Sequence, residues 1–283
     1  MSLAGTDGSA PGVDPRPSSP AAAMAADYER AAGWWRRGPD PIYRRFARIL
    51  VGAAPIPLAG LRVLDLGAGT GAVSVALRGA GARPVAVDSS PAMARWARRC
   101  VGNLDVAVAD ALHLPAPDGA FDGWFAGFVL NHLPAPWRAL GEAARVTRPG
   151  GVICATTFMA GGPNPVTRAV ERIATDWGWR PPAWYEEQRT WAALTDTPGG
   201  LAAQAATAGL GPARVSVVEV DAGTRSVEEL VAWRLGHAHM AGLAGRLSAG
   251  AHRTLVAATA AAVGPDPQPL RRSVLVLSIH RPA

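Results

Sequence analysis

The sequence predicts an α/β fold in which helices cover both faces of a mostly parallel sheet. Three observations indicate this. Short apolar runs alternate with helical stretches between residues 61 and 158. The first apolar run ends in a glycine-rich segment, GAGTG at 67–71, which leads directly into a helix. The loops between elements are short, which is typical of successive strand–helix units in a parallel sheet.

The elements of this first part follow in a regular order. Strands are predicted over the apolar runs 61–66, 84–87, 105–109, 121–129 and 152–158. Helices are predicted over 72–79, from Pro91 onward, and over 137–146. Ser90 is suited to cap the second helix, with Pro91 at its first position. The PGG segment at 149–151 ends the third helix.

After residue 158 the regular alternation stops. Four tryptophans lie among prolines between residues 160 and 195, where the periodicity is weak. Beyond them we expect helices over 201–210, 227–240 and 251–263, and a strand over 214–220. The run at 272–280 is rich in Val, Leu and Ile, which is typical of a buried strand. Because it follows a helical excursion, we expect it to enter the same sheet.

The composition predicts one large domain behind a short tail. The chain has 283 residues, of which 49% are hydrophobic and 18% charged. Residues 1–23 are mostly Gly, Ser, Pro and Ala and are predicted to be a disordered tail without a signal peptide's apolar core. Residues 24–58 are predicted to form N-terminal cap helices. The main domain then covers 59–283, with cap insertions at about 160–195 and 222–268.

Cysteine content and hydropathy restrict where the chain works. The two cysteines are too few for a disulfide framework or a zinc cluster, so we predict no metal and a cytoplasmic location. No stretch of about 18 apolar residues is free of charges and prolines, which predicts no membrane span. The sequence leaves the oligomeric state open, a homodimer being one alternative.

The charge of the chain is carried by arginine alone. The 28 basic side chains exceed the 22 acidic ones by six, and none of the 28 is lysine. The absence of lysine excludes a Schiff-base lysine and a P-loop lysine. The positive charge is compatible with a nucleic-acid partner, but an Arg-, Ala- and Gly-rich composition also arises from coding bias.

The glycine-rich segment has two interpretations. Gly67, Gly69 and Ala72 satisfy the dinucleotide pattern, with Asp88 about 20 residues further on. Asp65 favours another ligand, because a carboxylate two residues before the first glycine repels a pyrophosphate. It suits a ligand with an ammonium and a sulfonium group, which describes S-adenosylmethionine.

Several segments together resemble the class I S-adenosylmethionine-dependent methyltransferases. They are VLDLGAGTG (63–71), AVDSSPAMARWAR (86–98), ADALHLPAPDGAFD (109–122), FVLNHL (128–133) and RVTRPGG (145–151). The resemblance is to the small-molecule branch that includes ubiquinone, menaquinone and natural-product enzymes. It implies a doubly wound, Rossmann-like, seven-stranded sheet whose last strand is antiparallel, beneath a helical cap.

The resemblance also implies a set of cofactor-binding residues. Asp88 would take the ribose hydroxyls, Met93 would lie on the adenine, and Asp110 would accept from the exocyclic amine. The full set is Asp65, Gly67, Ala68, Gly69, Gly71, Asp88, Ser89, Met93, Asp110, Ala111 and Ala126. The AGFV segment at 126–129 stands where nucleobase methyltransferases carry Asn/Asp-Pro-Pro-Tyr/Phe, and neither cysteine follows a proline. Both points argue against methylation of nucleobases.

The candidates for catalysis and acceptor binding are histidines and aromatic residues. His132 and His237 are the candidate bases, because a hydroxyl or carbon-acid acceptor has to lose a proton. His237 is expected on a helical face with Met240, and His239 on another face, so the pair is not a metal site. Core packing is the alternative for each. The predicted acceptor-binding residues are Tyr28, Trp34, Tyr43, Phe128, Trp184 and Trp233.

The sequence therefore predicts methyl transfer from S-adenosylmethionine to O, N or C of a small, aromatic or heterocyclic secondary metabolite. Three alternatives stay open. One is an RNA-modifying methyltransferase, and another is a cofactor-retaining protein that catalyses a cyclisation without methylation. The third is a nicotinamide oxidoreductase, which Asp65 and Asp110 oppose.

Overall fold

A computed structural model describes residues 19–161, 164–264 and 266–283. In this part of the chain seven strands form one sheet, in the order β3-β2-β1-β4-β5-β7-β6. The strands are β1 (Arg62–Leu66), β2 (Arg83–Asp88), β3 (Asp105–Val108), β4 (Phe121–Gly127), β5 (Thr147–Phe158), β6 (Arg214–Asp221) and β7 (Arg271–His280).

The first five strands are parallel, and β7 lies antiparallel between β5 and β6. The seven-stranded, mostly parallel sheet predicted from the sequence is therefore confirmed. Leu66 of β1 pairs with Val87 of β2 and with Ala126 of β4. The carboxyl ends of these three strands consequently meet at one edge, where open α/β sheets bind their ligands.

Helices flank the sheet and cover its ligand edge. They are α1 (Pro20–Arg37), α2 (Pro39–Gly52), α3 (Ala72–Gly79), α4 (Pro91–Val101), α5 (Pro136–Val146), α6 (Pro165–Asp176), α7 (Ala183–Ala192), α8 (Pro198–Thr207), α9 (Val227–Leu235), α10 (Ala241–Ala244) and α11 (Ala249–Val263). As expected, Ser90 caps α4, its hydroxyl accepting from the Met93 N–H at 3.2 Å. The predicted cap insertions contain α6 and α7, and α9 to α11.

The N-terminal helix is longer than predicted. Helix α1 begins at Pro20, so residues 20–23 are helical rather than part of a tail; the rest of the predicted tail, up to residue 18, lies outside the described residues. The Ser19 hydroxyl accepts from the Ala22 N–H at 3.2 Å. An N-cap serine followed by proline and alanine is a strong helix start, and it outweighs the composition of the segment.

The prediction of one helix over 227–240 is wrong. Helix α9 ends at Leu235, and His237 has an extended backbone before a short 3₁₀ helix, Ala238–Met240. Gly236 packs so closely on the α1–α2 junction that a Cβ there would lie 2.2 Å from Cδ of Pro39. Low helix propensity and this tertiary contact together explain why the helix ends early.

The core lies on both faces of the sheet. Trp124 and Phe125, neighbours on β4, are fully buried on opposite faces. A separate cluster joins α2, α6, α9 and α11 to the carboxyl end of β5, and it forms the body of the cap. Among the described residues, no helix is long and apolar enough to cross a membrane.

Candidate active site

The loop after β1 makes a tight turn out of glycines. Gly67, Gly69 and Gly71 have φ values of +62°, +56° and +93°, which side chains rarely adopt. A Cβ on Gly67 would lie 2.3 Å from Cγ2 of Val129, so the loop also passes too close to its neighbour for any side chain. Both constraints leave the backbone of the loop free to face a ligand.

Asp88 ends β2 directly beside this loop. One carboxylate oxygen accepts from the Gly69 N–H and the other from the Ser90 N–H, both at 2.8 Å. Burial raises the pKa of Asp88, while these two hydrogen bonds act in the opposite direction. Each oxygen of a carboxylate has a second lone pair, so Asp88 can still accept from a pair of hydroxyl groups.

Asp65 lies beneath the loop and is fully buried. Its Oδ2 accepts from the Ser74 hydroxyl at 2.6 Å, and its Oδ1 has no partner among the described residues. Burial raises the pKa of Asp65 to about 7. An orphaned, fully buried carboxylate oxygen fits a bound water that brings a donor to this position.

A contact that sequence reasoning missed ties the cap to the loop. Buried Asp40 of α2 accepts a short hydrogen bond from the Thr70 hydroxyl and another from Arg44 Nε at 2.7 Å. Thr70 belongs to the glycine-rich segment, but its partner is 30 residues away and on another element. No local signal in the sequence indicates such a pair.

A cavity of about 550 Å³ lies at the ligand edge of the sheet. This volume is within the range of small-molecule sites. Twelve of the predicted site residues line it, namely Gly67, Ala68, Gly69, Asp88, Ser89, Met93, Asp110, Ala111, Tyr28, Tyr43, Phe128 and His132. The other predicted residues do not line it, namely Asp65, Gly71, Ala126, Trp34, Trp184, Trp233 and His237.

One part of the cavity wall is aromatic. Trp35, which sequence reasoning passed over in favour of Trp34, lies 5.9 Å from the Tyr28 ring and 4.8 Å from the Tyr43 ring. Phe128 lies 5.2 Å from Tyr43 in an edge-on arrangement. Trp191, one of the four tryptophans between residues 160 and 195, also lines the cavity. Together these rings form a wall suited to a flat ligand.

His132 and Tyr28 face each other within this wall. The Tyr28 hydroxyl lies 3.5 Å from His132 Nε2, and His132 Nδ1 has no partner among the described residues. Burial lowers the pKa of His132 to about 4 and raises that of Tyr28. Both side chains are therefore neutral at neutral pH, so the imidazole has a free lone pair but is a weaker base than a histidine in water.

The predicted residues outside the cavity have packing partners instead. The Trp34 ring stacks on His252 at 6.2 Å, and the Trp184 indole N–H donates to Asp27 at 2.7 Å. His237 lies edge-on to Trp233 at 4.7 Å, and its Nδ1 donates to the Trp233 carbonyl at 2.7 Å. Among the described residues no group of three or more His, Cys, Asp or Glu side chains could hold a metal ion.

Comparison with known proteins bears on the family. A family model described as "Methyltransferase domain" matches residues 64–155. The chain is 37% identical to a demethylmenaquinone methyltransferase of Clavibacter sepedonicus, over 46% of this chain and 54% of that protein. It is 36% identical to the protein of the same name from Mycolicibacterium paratuberculosis (strain ATCC BAA-968 / K-10), over 58% of this chain and 74% of that protein. The chain spans 45–61% of the length of the first three relatives it matches.

Solved structures share the fold. A S-adenosylmethionine-dependent methyltransferase from Thermotoga maritima matches with a TM-score of 0.53 and 18% identity, over 90% of this chain and 99% of that one. A phosphoethanolamine N-methyltransferase from Haemonchus contortus matches with a TM-score of 0.52 and 17% identity, over 84% and 53%.

The order of the strands, the glycine loop and the acid after β2 define a class I methyltransferase fold, and the relatives agree with it. The chain belongs to the class I S-adenosylmethionine-dependent methyltransferases, and within them to the quinone-biosynthesis type. The family predicted from the sequence is thereby confirmed, as is S-adenosylmethionine as the cofactor of this family.

Proposed function

We propose that the protein transfers the methyl group of S-adenosylmethionine to an oxygen or carbon of a small aromatic acceptor, and that His132 takes up the acceptor's proton. One observation carries this proposal. A cavity connects the Asp88 end of the sheet to a neutral imidazole, His132, that faces a tyrosine hydroxyl.

The cofactor end of the cavity fits S-adenosylmethionine. The two oxygens of Asp88 would accept from the ribose hydroxyls, and the Met93 side chain would pack on the adenine. Asp110 is exposed, and its Oδ1 accepts from the Leu112 N–H at 2.9 Å, which holds the carboxylate at the rim of the cavity. When bound, the cofactor supplies a methyl group already activated by a sulfonium.

The acceptor end supports an aromatic compound. Tyr28, Trp35, Tyr43 and Phe128 offer flat faces, and offset or edge-on stacking between rings contributes beyond the burial of area. Matched relatives named for demethylmenaquinone support a ring-shaped acceptor for this chain as well. Others are named for malonyl-(acyl-carrier protein), so the aromatic wall, rather than the relatives' names, decides for a ring.

For this reaction the protein has to align the acceptor atom with the methyl group and remove the acceptor's proton. Methyl transfer proceeds in line, so the rings have to hold the attacking atom and exclude water, an effect worth on the order of 7–11 kcal/mol in well-aligned reactions. An acceptor hydroxyl within hydrogen-bond reach of both Tyr28 and His132 would donate its proton to the imidazole. Tyr28 would orient both partners.

A thermal-shift experiment tests the cofactor assignment. We expect S-adenosylhomocysteine to raise the melting temperature of the wild type and NAD to leave it unchanged, because a ligand that binds only the folded state stabilises it. Asp88→Asn should lose the shift. Asp105→Asn, an exposed acid on the neighbouring strand, is the matched control and should keep it.

A transfer assay tests the activity itself. The purified protein is given S-adenosylmethionine and a panel of hydroxylated aromatic acceptors, and S-adenosylhomocysteine and methylated product are measured together. Equal amounts of the two support the proposal. Stabilisation by NAD rather than by S-adenosylhomocysteine would overturn it, as would a cofactor that stays bound and intact with every acceptor.

A further inference from the structure

The glycine-rich loop at 67–71 is held by two acidic side chains. Four of its five residues are glycine or alanine, and Thr70 is the exception. Glycine loses more conformational freedom on folding than other residues, so such a loop needs contacts that fix its shape. Asp88 accepts from the Gly69 N–H at 2.8 Å, and Asp40 accepts from the Thr70 hydroxyl. Asp88 lines the cavity and Asp40 does not, so Asp40 contacts the loop from behind.

The contact between Asp40 and Thr70 is buried and involves a charged group. Asp40 is 4% exposed and Thr70 1% exposed. The second oxygen of Asp40 accepts from Arg44 Nε at 2.7 Å, which fixes the orientation of the carboxylate. A hydrogen bond to an ionised group is roughly twice as strong as a neutral one. Removal of one partner also leaves the other buried and unsatisfied. This contact is therefore strong enough to select one shape of the loop.

The helix that carries Asp40 also reaches the acceptor end of the cavity. Asp40 lies in the first turn of α2. Tyr43 and Ala47, three and seven residues further on, line the cavity. Residues at this spacing share one face of a helix. One face of α2 therefore contacts the cofactor loop at its start and the acceptor space further along.

We propose that Asp40 is a positioning residue for the cofactor. Through the Thr70 hydroxyl it holds the loop in the shape that binds S-adenosylmethionine. The inference rests on the proposed function in that it takes S-adenosylmethionine as the ligand of this loop. Without the contact the loop spends part of its time in shapes that do not bind, and the observed affinity falls by that fraction. Because such coupling is reciprocal, a bound cofactor should in turn fix the start of α2.

Titration calorimetry with S-adenosylhomocysteine, well below the melting temperature of each variant, tests the first part. Asparagine at position 40 keeps the shape but offers one acceptor oxygen and no charge. Asp40→Asn should raise the Kd about tenfold, the size of a lost hydrogen bond to a charged group. Thr70→Val, which removes the hydroxyl, should do the same, and the double variant should lose little more than either single one. Thr70→Ser keeps the hydroxyl and should bind like the wild type.

A second buried acid of the cap is the matched control. Asp27 of α1 is 6% exposed and accepts from Arg30 and from the Trp184 indole N–H, so its chemistry resembles that of Asp40. Its partners are not in the glycine-rich loop. Asp27→Asn should lower the melting temperature but keep the Kd within about twofold of the wild type, because sites without shared partners act independently. The control separates a positioning role from a loss of stability.

Hydrogen exchange tests the reciprocal effect. In the wild type, S-adenosylhomocysteine should slow exchange in the first two turns of α2 more than in α8, which does not line the cavity. In Asp40→Asn at saturating ligand, this extra protection of α2 should be lost.

The proposal is overturned if Asp40→Asn has the wild-type Kd, if Asp27→Asn loses as much affinity, or if the losses in Asp40→Asn and Thr70→Val are fully additive. If Asp40→Asn does not fold, the comparison of Thr70→Ser with Thr70→Val and the exchange of wild-type α2 decide. A wild type that does not bind S-adenosylhomocysteine would refute the cofactor assignment and this proposal together. Binding without methyl transfer to any acceptor would refute the proposed function and leave the role of Asp40 intact.

Discussion

The two ends of the cavity are built in different ways. The cofactor end consists of loops that directly follow β1, β2 and β3, and it presents backbone groups and the carboxylate of Asp88. The acceptor end consists of side chains from α1, α2 and the short 3₁₀ helix Leu130–His132, which are far apart in the chain. The first depends on strand ends that are adjacent in the sheet, the second on how the cap packs.

Because the two ends are built differently, they should tolerate substitutions to different degrees. A ligand held by backbone geometry depends on glycines with positive φ, as at Gly67, where a side chain meets Val129. A ligand held by aromatic faces depends on the packing of rings, which substitution of one ring by another changes only gradually. We therefore expect single changes at the cofactor end to abolish binding, and changes at the acceptor end to alter rate and selectivity.

The largest effect on rate is expected from His132→Gln. Glutamine keeps the volume and a hydrogen-bonding group but cannot take up the proton, so kcat should fall by about 10²- to 10⁴-fold, the usual contribution of general-base catalysis. The melting-temperature shift with S-adenosylhomocysteine should persist. His280→Gln, a change of an exposed histidine at the end of β7, is the control and should keep the wild-type kcat. If His132→Gln keeps the wild-type kcat, His132 is not the general base.

A change at the cofactor end, Gly67→Ala, should abolish cofactor binding and lower the melting temperature. In Gly67→Ala the new Cβ would lie 2.3 Å from Cγ2 of Val129 at a φ of +62°. Strained backbone and overpacking together cost about 2–5 kcal/mol, so a lower melting temperature and a lost S-adenosylhomocysteine shift are expected. Gly52→Ala, at an exposed helix end with no atom within 4 Å of the new Cβ, should change neither. If Gly67→Ala still binds S-adenosylhomocysteine, the backbone geometry of the glycine loop does not determine cofactor binding.

The cofactor end could be predicted from the sequence because its signals are local. A strand that ends in glycines and the next strand that ends in Asp88 place their residues together through the parallel sheet alone. The same logic located the N-cap at Ser90. Asp65 shows the limit of prediction from local signals. The sequence indicates a carboxylate at the end of the strand, but it does not indicate that this carboxylate is fully buried.

The acceptor end could not be predicted in the same way. Trp34 and Trp35 are adjacent on α1, and the sequence offers no reason why the second faces the cavity while the first stacks on His252. The helical spacing of its neighbours predicts a helix at His237, whereas Pro39 from another element helps to end that helix before it. Contacts between distant elements decide these positions, and periodicity does not report them.

Tyr28→Phe should have a smaller effect than the two changes above. It removes the hydroxyl 3.5 Å from His132 Nε2 but keeps the ring in the wall, so we expect kcat to fall about tenfold, the value of one neutral hydrogen bond. KM should change less than kcat if the hydroxyl orients the base. In the double variant with His132→Gln, the loss of the tyrosine hydroxyl should add almost nothing. Fully additive losses would show that the two residues act independently.

The smallest expected effect is the shape of the pH profile. Burial lowers the pKa of His132 to about 4, and the base is active when it is deprotonated. Its active fraction therefore stays near one from pH 8 down to pH 6 and is lost only as the pH falls towards the lowered pKa. A histidine with its ordinary pKa near 6.5 would lose about three-quarters of its neutral form at pH 6.

The profile has to be measured with saturating cofactor. The pKa of Asp65 is raised to about 7, so its titration falls in the same window and can change the affinity of the cofactor end. Under saturation that change drops out of kcat, and the pH dependence of KM for S-adenosylmethionine reports it instead. A kcat that is constant from pH 8 to pH 6 therefore supports a buried, neutral His132. A fall of about fourfold over that range would place the imidazole in water, and with it the acceptor end of the cavity.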